Sequence, residues 1–291
     1  MGTRALLAGA LAAALALAAA PVAAAKDPGR WKQVRVSEVP LEYFQGVAAS
    51  PKNAFFFTGT NQLFGTTGSL RETGRHDVAI PPEVSEAEGY DHVGDLDYDT
   101  AEGGRLLLPL ECYQASTGNH CGTGSIAVVD PRTLRWRYYV KLDPSQIKKA
   151  MWAAVSPDGR SLYTQDEADL LRYDLTQVTE ANAAPAGPML LPVQRVKGAF
   201  PNGGATGVAF YRGRMYAAEF RGALFQVWRI DTTTGRRRLE IERIIGGEAE
   251  GLASAHILGG DLHWLINPRS LGRTPTFGAG HSALVTFKRR R

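Results

Sequence analysis

The sequence has 291 residues, of which 44% are hydrophobic, 21% charged and 9% aromatic. This composition is typical of a globular protein and excludes a chain that is disordered throughout. The net charge is +4, and Lys288, Arg289, Arg290 and Arg291 carry four positive charges, so the rest of the chain is neutral overall. A neutral body argues against a nucleic-acid-binding face built into the fold, and we expect no nucleic-acid partner.

Residues 1–25 have the layout of a cleavable secretory signal peptide. Arg4 precedes an uninterrupted run of Ala, Leu and Gly over residues 5–20, a proline ends that run, and small residues lead up to Ala25. A retained membrane anchor is the alternative, but the run is shorter than the ~20 apolar residues that a bilayer core requires. We therefore predict cleavage after Ala25 and export to the periplasm or the extracellular space, with residues 26–291 free of transmembrane segments.

The chain has two cysteines, Cys112 and Cys121, with eight residues between them. In an oxidising compartment such a close pair forms a disulfide, and Gly118 and Asn119 are turn residues that allow the intervening loop to fold back. A metal site is the alternative, because His120 precedes Cys121, but this cysteine spacing is not that of a zinc site. We predict a disulfide that fixes one loop.

Residues 26–291 repeat a pattern of short strands and turns five times, with almost no helical periodicity. Each unit opens with a strand of small residues, which is followed by a tight turn and a bulkier strand. The opening strands begin at residues 46, 94, 153, 207 and 251, so the successive steps are 48, 59, 54 and 44 residues. A period of about 50 residues with four strands per unit is typical of a β-propeller, in which each unit forms one blade.

The fifth unit lacks an outer strand, and the unassigned strand lies at the other end of the chain, over residues 31–39. Pairing of this strand with the last one, at 282–288, would close the ring and leave no exposed sheet edge. We predict an all-β, single-domain propeller of five four-stranded blades with a basic C-terminal tail at 288–291. Six blades, or two β-sandwich domains, are the alternatives. We expect the outer strand of the first unit at Ala79 and the residues directly upstream of it.

Loops that lead into the first strand of each blade, and loops between its second and third strands, lie at one mouth of a propeller channel. In this chain those loops are rich in carboxylates and amides: Gln45, Asp91, Asp95, Glu111, Gln165, Asp166, Glu167, Asn202, Glu219, Glu248 and Glu250. Carboxylates that converge repel one another unless protons or a cation lie between them. Calcium takes 6–8 oxygen ligands, whereas a single histidine does not make a zinc site. We predict a calcium site with Glu111, Glu219, Glu250 and Gln45 as candidate ligands; the alternative is that the acids are exposed to water.

The strand and turn pattern resembles the β-propeller superfamily along nearly the whole of residues 26–291. The segment Gly247-Glu-Ala-Glu-Gly-Leu252 is similar to the Glu-Gly-Leu/Ile signature that opens a blade in secreted phytase-like esterase propellers. A glutamate at this position also resembles the inner-ring glutamate of calcium-dependent lactonase and gluconolactonase propellers. The resemblance implies that Glu250 is a metal ligand.

His92 and Asp95 are the candidate catalytic residues, with His92 acting as a general base beside the metal. The alternative is a structural His92 that lines the channel and bonds to Asp95. The candidate ligand-binding residues are Tyr43, Trp152, Gln165 and Asn202. Tyr43 and Trp152 would stack on a sugar or an aromatic ligand, or else plug the channel. The sequence has no Gly-x-Ser-x-Gly elbow, no His-Glu-x-x-His motif and no phosphate-binding glycine loop.

Two functions suit such a mouth. The first is metal-dependent hydrolysis of a lactone, an ester or a phosphate, in which the metal polarises the substrate and activates water. The second is non-catalytic recognition of a glycan, a peptide or an envelope protein, with any metal in a structural role. A scaffold without a metal is a third alternative. We expect the partner to be a small molecule, glycan or peptide at the mouth, and the protein to be a monomer.

Overall fold

The computed structural model describes residues 30–113, 121–245, 247–267 and 281–290, except for the side chains of Glu102 and Asn202. The predicted signal peptide at 1–25 lies outside these residues. Within the described residues the chain forms 21 β-strands, one short α-helix and four 3-10 turns.

The strands form five antiparallel sheets in chain order. Strand β1 (Trp31–Pro40) precedes blade 1, which consists of β2 (Gly46–Ser50), β3 (Ala54–Thr58), β4 (Leu63–Thr67) and β5 (Glu72–His76). Helix α1 (Pro82–Glu88) leads to blade 2, which consists of β6 (His92–Val93), β7 (Asp97–Asp99), a 3-10 turn (Ala101–Gly103), β8 (Arg105–Glu111), β9 (Ser125–Val129) and β10 (Trp136–Lys141). Strands β6 and β7 together form the inner strand of that blade.

The remaining blades follow the same order from the channel outwards. Blade 3 consists of β11 (Ala154–Val155), β12 (Ser161–Asp166), β13 (Asp169–Asp174), 3-10 turns (Leu175–Gln177 and Glu180–Asn182) and β14 (Gln194–Val196). After a 3-10 turn (Pro201–Gly203), blade 4 consists of β15 (Gly207–Tyr211), β16 (Arg214–Arg221), β17 (Leu224–Ile230) and β18 (Arg237–Ile244). Blade 5 consists of β19 (Glu248–Ser254), β20 (Leu262–Asn267), β21 (His281–Arg289) and the returning β1.

The predicted five-bladed propeller, closed by strands from both ends of the chain, is confirmed. Strand β1 is antiparallel to β21, and the pairing runs from Trp31 opposite Arg289 to Pro40 opposite His281. The last strand extends beyond its predicted end, because Arg289, within the segment predicted as a basic tail, is part of β21.

The outer strand of blade 1 lies earlier in the chain than we predicted. It spans Glu72–His76, and Ala79 lies beyond it, where its backbone N–H donates to the carbonyl oxygen of Asn61 at 2.9 Å. The side chain of Asn61 also accepts from the backbone N–H of Ile80 at 2.8 Å. These two bonds hold the chain against the loop between β3 and β4, so it does not continue along β4.

Large aromatic side chains pack between the blades, as the bulky second strands predict. Phe55 and Phe57 on β3 and Trp264 on β20 are fully buried. Between blades 4 and 5, Trp31 packs edge-on against Tyr216 with the ring centroids 5.5 Å apart. Burial of a side chain of this size contributes about 3 kcal/mol, so core packing as well as backbone pairing holds the closing strand.

The inner strands approach one another closely around the channel axis, and this explains their small residues. A Cβ atom on Gly94 would lie 1.9 Å from the carbonyl oxygen of Met151, and one on Gly251 would lie 2.4 Å from the backbone nitrogen of Val47. Neither distance is compatible with a side chain. Glycine is therefore required where strands of neighbouring blades touch.

The carboxylate of Asp95 lies on this axis. Its Oδ1 accepts from the backbone N–H of Val47 at 2.8 Å, and its Oδ2 accepts from those of Val208 at 3.0 Å and Leu252 at 3.3 Å. The backbone of Asp95 also forms a parallel bridge with Trp152. These partners belong to blades 1, 4, 5 and 3, so a single residue of blade 2 bonds to every other blade.

The predicted disulfide between Cys112 and Cys121 is present, with the two Cα atoms 5.1 Å apart. It joins the end of β8 to the segment that leads into β9. No helix among the described residues is long and apolar enough to cross a membrane.

We expect replacement of both cysteines by serine to lower the free energy of unfolding by about 2 kcal/mol, because the bond closes a short loop and removes only a modest chain entropy. Urea unfolding of the Cys112→Ser/Cys121→Ser variant measures this effect. Reduction of the unaltered protein should give the same shift. Equal urea midpoints before and after reduction would show that the bond does not stabilise the fold.

Candidate functional site

Five polar residues form the centre of the mouth at which the inner strands begin, which we call the acidic mouth: Gln45, His92, Glu111, Glu248 and Glu250. The antiparallel register of β6 and β8 places His92 directly opposite Glu111. Side chains of directly opposed residues leave a sheet on the same face, so this register brings the two groups together. Glu248 and Glu250 are alternate residues of β19.

His92 lies between an amide and a carboxyl group. Its Nε2 is 2.7 Å from Oε1 of Gln45 and 4.0 Å from Oε1 of Glu111. An amide oxygen only accepts, so Nε2 donates to Gln45 and the Nδ1 atom of the neutral ring is left as an acceptor. The alternative of a structural His92 named Asp95 as its hydrogen-bond partner. In the structure that partner is Gln45.

Burial changes the acid–base properties of both groups. It raises the pKa of Glu111 to about 7; the charge of Lys149 opposes this shift and that of Asp91 adds to it. Burial also lowers the pKa of His92, although the charge of Asp91 opposes this shift. At neutral pH His92 is therefore uncharged, whereas Glu111 is divided between its ionised and protonated forms.

Glu248 and Glu250 form a second carboxyl pair. Burial raises the pKa of Glu250 well above its usual range; a side-chain hydrogen bond to Glu248 and the charges of Glu248, Asp95 and Glu111 raise it further. A neighbouring carboxyl group adds to the effect of burial because two carboxylates in contact repel each other. Protonation of Glu250 relieves this repulsion.

A cavity of about 400 Å³ opens beside the acidic mouth. Its lining residues are Cys121, Lys148, Lys149, Met151, Gln165, Asp166, Glu167 and Gly203. Lys149, which we did not select from the sequence, acts electrostatically on both His92 and Glu111. Its position in the loop before the first strand of blade 3 is the signal that would have identified it. Lys149 gives an otherwise acidic site one positive charge.

Gln165 lines this cavity, but its amide is already paired. Its Nε2 donates to the carbonyl oxygen of Ala205 at 3.0 Å, and its Oε1 accepts from the N–H of Ala205 at 2.7 Å. These two bonds connect blade 3 to the segment that leads into blade 4. The ligand-binding role of Gln165 stays a prediction.

The two aromatic residues predicted to stack on a ligand are buried in the core. Tyr43 stacks on Phe57 with ring centroids 4.8 Å apart and donates from its hydroxyl to Glu72 at 2.6 Å. Trp152 is fully buried in the cluster between blades 3 and 4. Core packing accounts for the burial of both rings, and the ligand-binding roles of Tyr43 and Trp152 stay predictions. The side chain of Asn202 lies outside the described part of the chain.

Glu219 and Asp95 have partners within the fold. Oε1 of Glu219 accepts from Nε1–H of Trp228 at 2.5 Å, on the second and third strands of blade 4. Asp95 is fully buried and accepts its three backbone bonds on the channel axis. The metal role of Glu219 and the catalytic role of Asp95 stay predictions.

The predicted calcium site requires several oxygen donors around one point. Glu111, Glu248, Glu250 and the amide of Gln45 have suitable donor chemistry. Among the residues that the structure describes, however, no three His, Cys, Asp or Glu side chains are placed to hold a metal ion. These donors do not form a preformed cage, so we assign no catalytic step to calcium, and its binding stays a prediction.

The opposite end of the channel, the far mouth, contains a cavity of about 420 Å³ that is lined by residues of all five blades, including Ser50, Asp97, Ser156, Phe210 and Ser254. Burial raises the pKa of Asp97 to about 7, although its bond from the N–H of Val155 opposes this shift. The alternation of aspartates at positions 95, 97 and 99 is the signal that a row of acids lies along one inner strand.

The fold and the acidic mouth define a five-bladed β-propeller with a cluster of partly protonated carboxyl groups at one end of its channel. No protein-family model matches the sequence, and no curated protein matches it. The structure is similar to that of glutaminyl cyclase from Myxococcus xanthus, with a TM-score of 0.54, 11% identity, and coverage of 90% of this chain and 97% of that chain.

A luciferin-regenerating enzyme is similar with a TM-score of 0.52, 12% identity, and coverage of 87% of this chain and 95% of that chain. The PQQ-bound form of aldose sugar dehydrogenase from Streptomyces coelicolor gives a TM-score of 0.46, 11% identity, and coverage of 91% and 99%. At identities of 12% and 11%, the similarities to the luciferin-regenerating enzyme and the glutaminyl cyclase show a shared fold, whereas function depends on the site.

Proposed function

We propose that this chain is a hydrolase that acts on a small lactone, ester or phosphate compound at the acidic mouth. The observation that supports this proposal is the buried carboxyl group of Glu111, whose pKa is raised to about 7, beside uncharged His92 and the ammonium group of Lys149. A group with a pKa near the working pH both accepts and donates protons efficiently. The adjoining cavity of about 400 Å³ provides room for a small substrate.

In the proposed reaction, ionised Glu111 accepts a proton from water while the water oxygen bonds to the acyl carbon or the phosphorus of the substrate. The bond from that atom to the leaving oxygen then breaks, and protonated Glu111 returns the proton to the leaving oxygen. The ionised carboxylate of Glu111 is thereby regenerated. Lys149 stabilises negative charge on the substrate oxygen, and His92, held by Gln45, orients the water through its free Nδ1.

A screen with p-nitrophenyl acetate, p-nitrophenyl phosphate and a γ-lactone tests this function. We expect hydrolysis of at least one compound, with kcat/KM rising with pH through about 7 as Glu111 ionises. Because Gln can neither accept nor return the proton, Glu111→Gln should lower kcat/KM about 100-fold or more and abolish this pH dependence.

The matched control is Glu86→Gln, which makes the same chemical change at an exposed position of α1. It should leave kcat/KM within about twofold, since surface substitutions have small effects. If none of the three compounds is hydrolysed but small glycans or peptides raise the melting temperature, the hydrolase proposal fails and a binding propeller becomes the better account.

Calcium binding is proposed separately from this reaction. Titration calorimetry of the purified protein with CaCl₂, repeated with Glu250→Gln, measures it without a substrate. A stoichiometric binding isotherm that the substitution weakens would support calcium at the acidic mouth. A flat isotherm would remove calcium from the account.

We also propose that the protein is exported, and the Cys112–Cys121 disulfide supports this because such bonds persist in oxidising compartments. N-terminal sequencing of the protein from a secreting host is the test. A sequence beginning at Lys26 would support cleavage after Ala25, and a cytoplasmic protein beginning at residue 1 would contradict it.

A further inference from the structure

Two basic grooves lie side by side at the far-mouth end of blades 4 and 5. The first, of about 880 Å³, is lined by Arg30, Lys32, Arg212, Lys288, Arg289 and Arg290. The second, of about 520 Å³, is lined by Arg214, Arg229, Arg236, Arg237 and Arg238. We call the two grooves together the basic surface.

Antiparallel pairing collects these charges from distant parts of the sequence. Strand β21 ends where β1 begins, because Arg289 lies opposite Trp31. The turn from Arg212 to Arg214 lies between the grooves, and Arg214 and Arg289 both act electrostatically on Tyr216. The two grooves therefore form one continuous surface.

Few carboxylates neutralise this surface. In the second groove Arg229 and Arg238 pair with Glu240 at 3.7 and 3.8 Å, and in the first groove His256 lies 3.1 Å from Asp261. Asp231 and Asp261 are the other acids in the grooves, so eleven Lys and Arg residues face three carboxylates. A chain whose charge outside its last four residues is neutral overall thus still has a strongly basic local surface.

We propose that the basic surface docks the protein on an anionic lipid bilayer. Basic side chains are attracted to anionic headgroups within about 10 Å of the membrane surface. Apolar side chains accompany the charges, because Val34 in the first groove is 41% exposed and Val36 is 39% exposed.

These features favour a bilayer over a soluble polyanion, which has no apolar region to receive the valines. In the docked orientation the acidic mouth, at the opposite end of the channel, faces away from the membrane. Docking therefore leaves the acidic mouth open to soluble molecules. The proposal does not depend on the hydrolase function.

Cosedimentation of residues 26–291, the protein without its predicted signal peptide, with lipid vesicles tests the proposal. We compare vesicles of phosphatidylcholine with vesicles of equal parts phosphatidylcholine and phosphatidylglycerol. We expect stronger binding to the anionic vesicles, and this difference should shrink as salt is added. The variant Lys32→Glu/Arg214→Glu/Arg236→Glu, which reverses charges in both grooves, should lower the anionic partition coefficient about 100-fold.

The matched control is Lys148→Glu/Lys197→Glu/Arg221→Glu, which changes net charge equally at exposed positions of the acidic-mouth end. It should stay within about threefold of the unaltered chain, because these charges face away from the membrane and are screened. The neutral vesicles give the contribution of the exposed valines, which all variants share. Melting temperatures equal to that of the unaltered chain show that the variants are folded.

Equal binding of the unaltered chain to both vesicle types would overturn the proposal. An equal loss of binding in the two triple variants would also overturn it, because net charge rather than this surface would then be responsible. Binding to heparin or DNA without binding to anionic vesicles would overturn it as well and would indicate a polyanionic partner.

Discussion

Replacement of Asp95 by alanine is expected to lower the melting temperature of the protein by about 10–20 °C. The substitution leaves the backbone N–H groups of Val47, Val208 and Leu252 without their acceptor at the centre of the fold. Each buried donor left unsatisfied costs about 1–3 kcal/mol, and the three belong to three different blades. Part of this loss is offset because alanine also removes the cost of burying an ionised carboxylate. That cost is the reason why burial raises the pKa of Asp95.

Asp95→Asn should be intermediate, because its one remaining oxygen still accepts while its NH₂ group faces an N–H donor. Asp77→Ala is the control, since its carboxylate is 72% exposed, and the change should fall within about 0.5 kcal/mol. Thermal unfolding of all three variants by circular dichroism measures the effects. A melting temperature of Asp95→Ala within about 2 °C of the unaltered protein would show that the axial carboxylate does not hold the blades together.

Glu111→Gln is expected to stabilise the protein at alkaline pH and to have little effect in acid. The pKa of Glu111 rises from an ordinary value near 4.5 in the unfolded chain to about 7 in the folded protein. The protonated carboxyl group is tolerated in the fold, whereas the buried ionised form is not. Its contribution to stability is fully present below the pKa of the unfolded chain and is lost as pH rises through the pKa of the folded protein. The loss amounts to about 3 kcal/mol at pH 8 and about 1 kcal/mol at pH 5.

Gln stays neutral at every pH and therefore avoids this loss. The variant should be more stable than the unaltered protein by about 3 kcal/mol at pH 8 and by about 1 kcal/mol at pH 5. Urea unfolding at pH 5 and pH 8 measures the difference. Glu86→Gln on the exposed face of α1 should show no such divergence. A constant difference between Glu111→Gln and the unaltered protein across this range would contradict the raised pKa. The gain in stability with loss of activity is a typical conflict at an active site.

Most of the fold is predictable from the sequence because the repeats follow local rules. Small residues mark the inner strands, and the steric contacts of Gly94 and Gly251 explain why. The spare strand at 31–39 predicts the closure, since propellers avoid open edges. The outer strand of blade 1 was misplaced because Asn61, a loop residue distant in sequence, binds the backbone of Ala79 and Ile80 and holds them away from β4. Tertiary hydrogen bonds of this kind leave no local signal.

The candidate site is less predictable than the fold, because residue type does not show where a side chain points. Grouping the loops by blade position correctly brings His92 and Glu111 to one place, and their strand register explains why. The same grouping does not distinguish an acid in the mouth from Asp95, which is surrounded by backbone donors on the axis. It also does not anticipate the burial of Trp152, because the core and a ligand both attract aromatic rings.

The pKa of Glu111 is the quantity that tests the central claim most directly. Carbon-13 NMR of the side-chain carboxyl groups in glutamate-labelled protein, titrated from pH 4 to pH 9, measures it without a substrate. The resonance that is missing from the spectrum of the Glu111→Gln variant is that of the Glu111 carboxyl group. We predict that it titrates with a midpoint of about 7. A midpoint near the ordinary glutamate value of about 4.3 would contradict a proton-transferring carboxyl group at the acidic mouth.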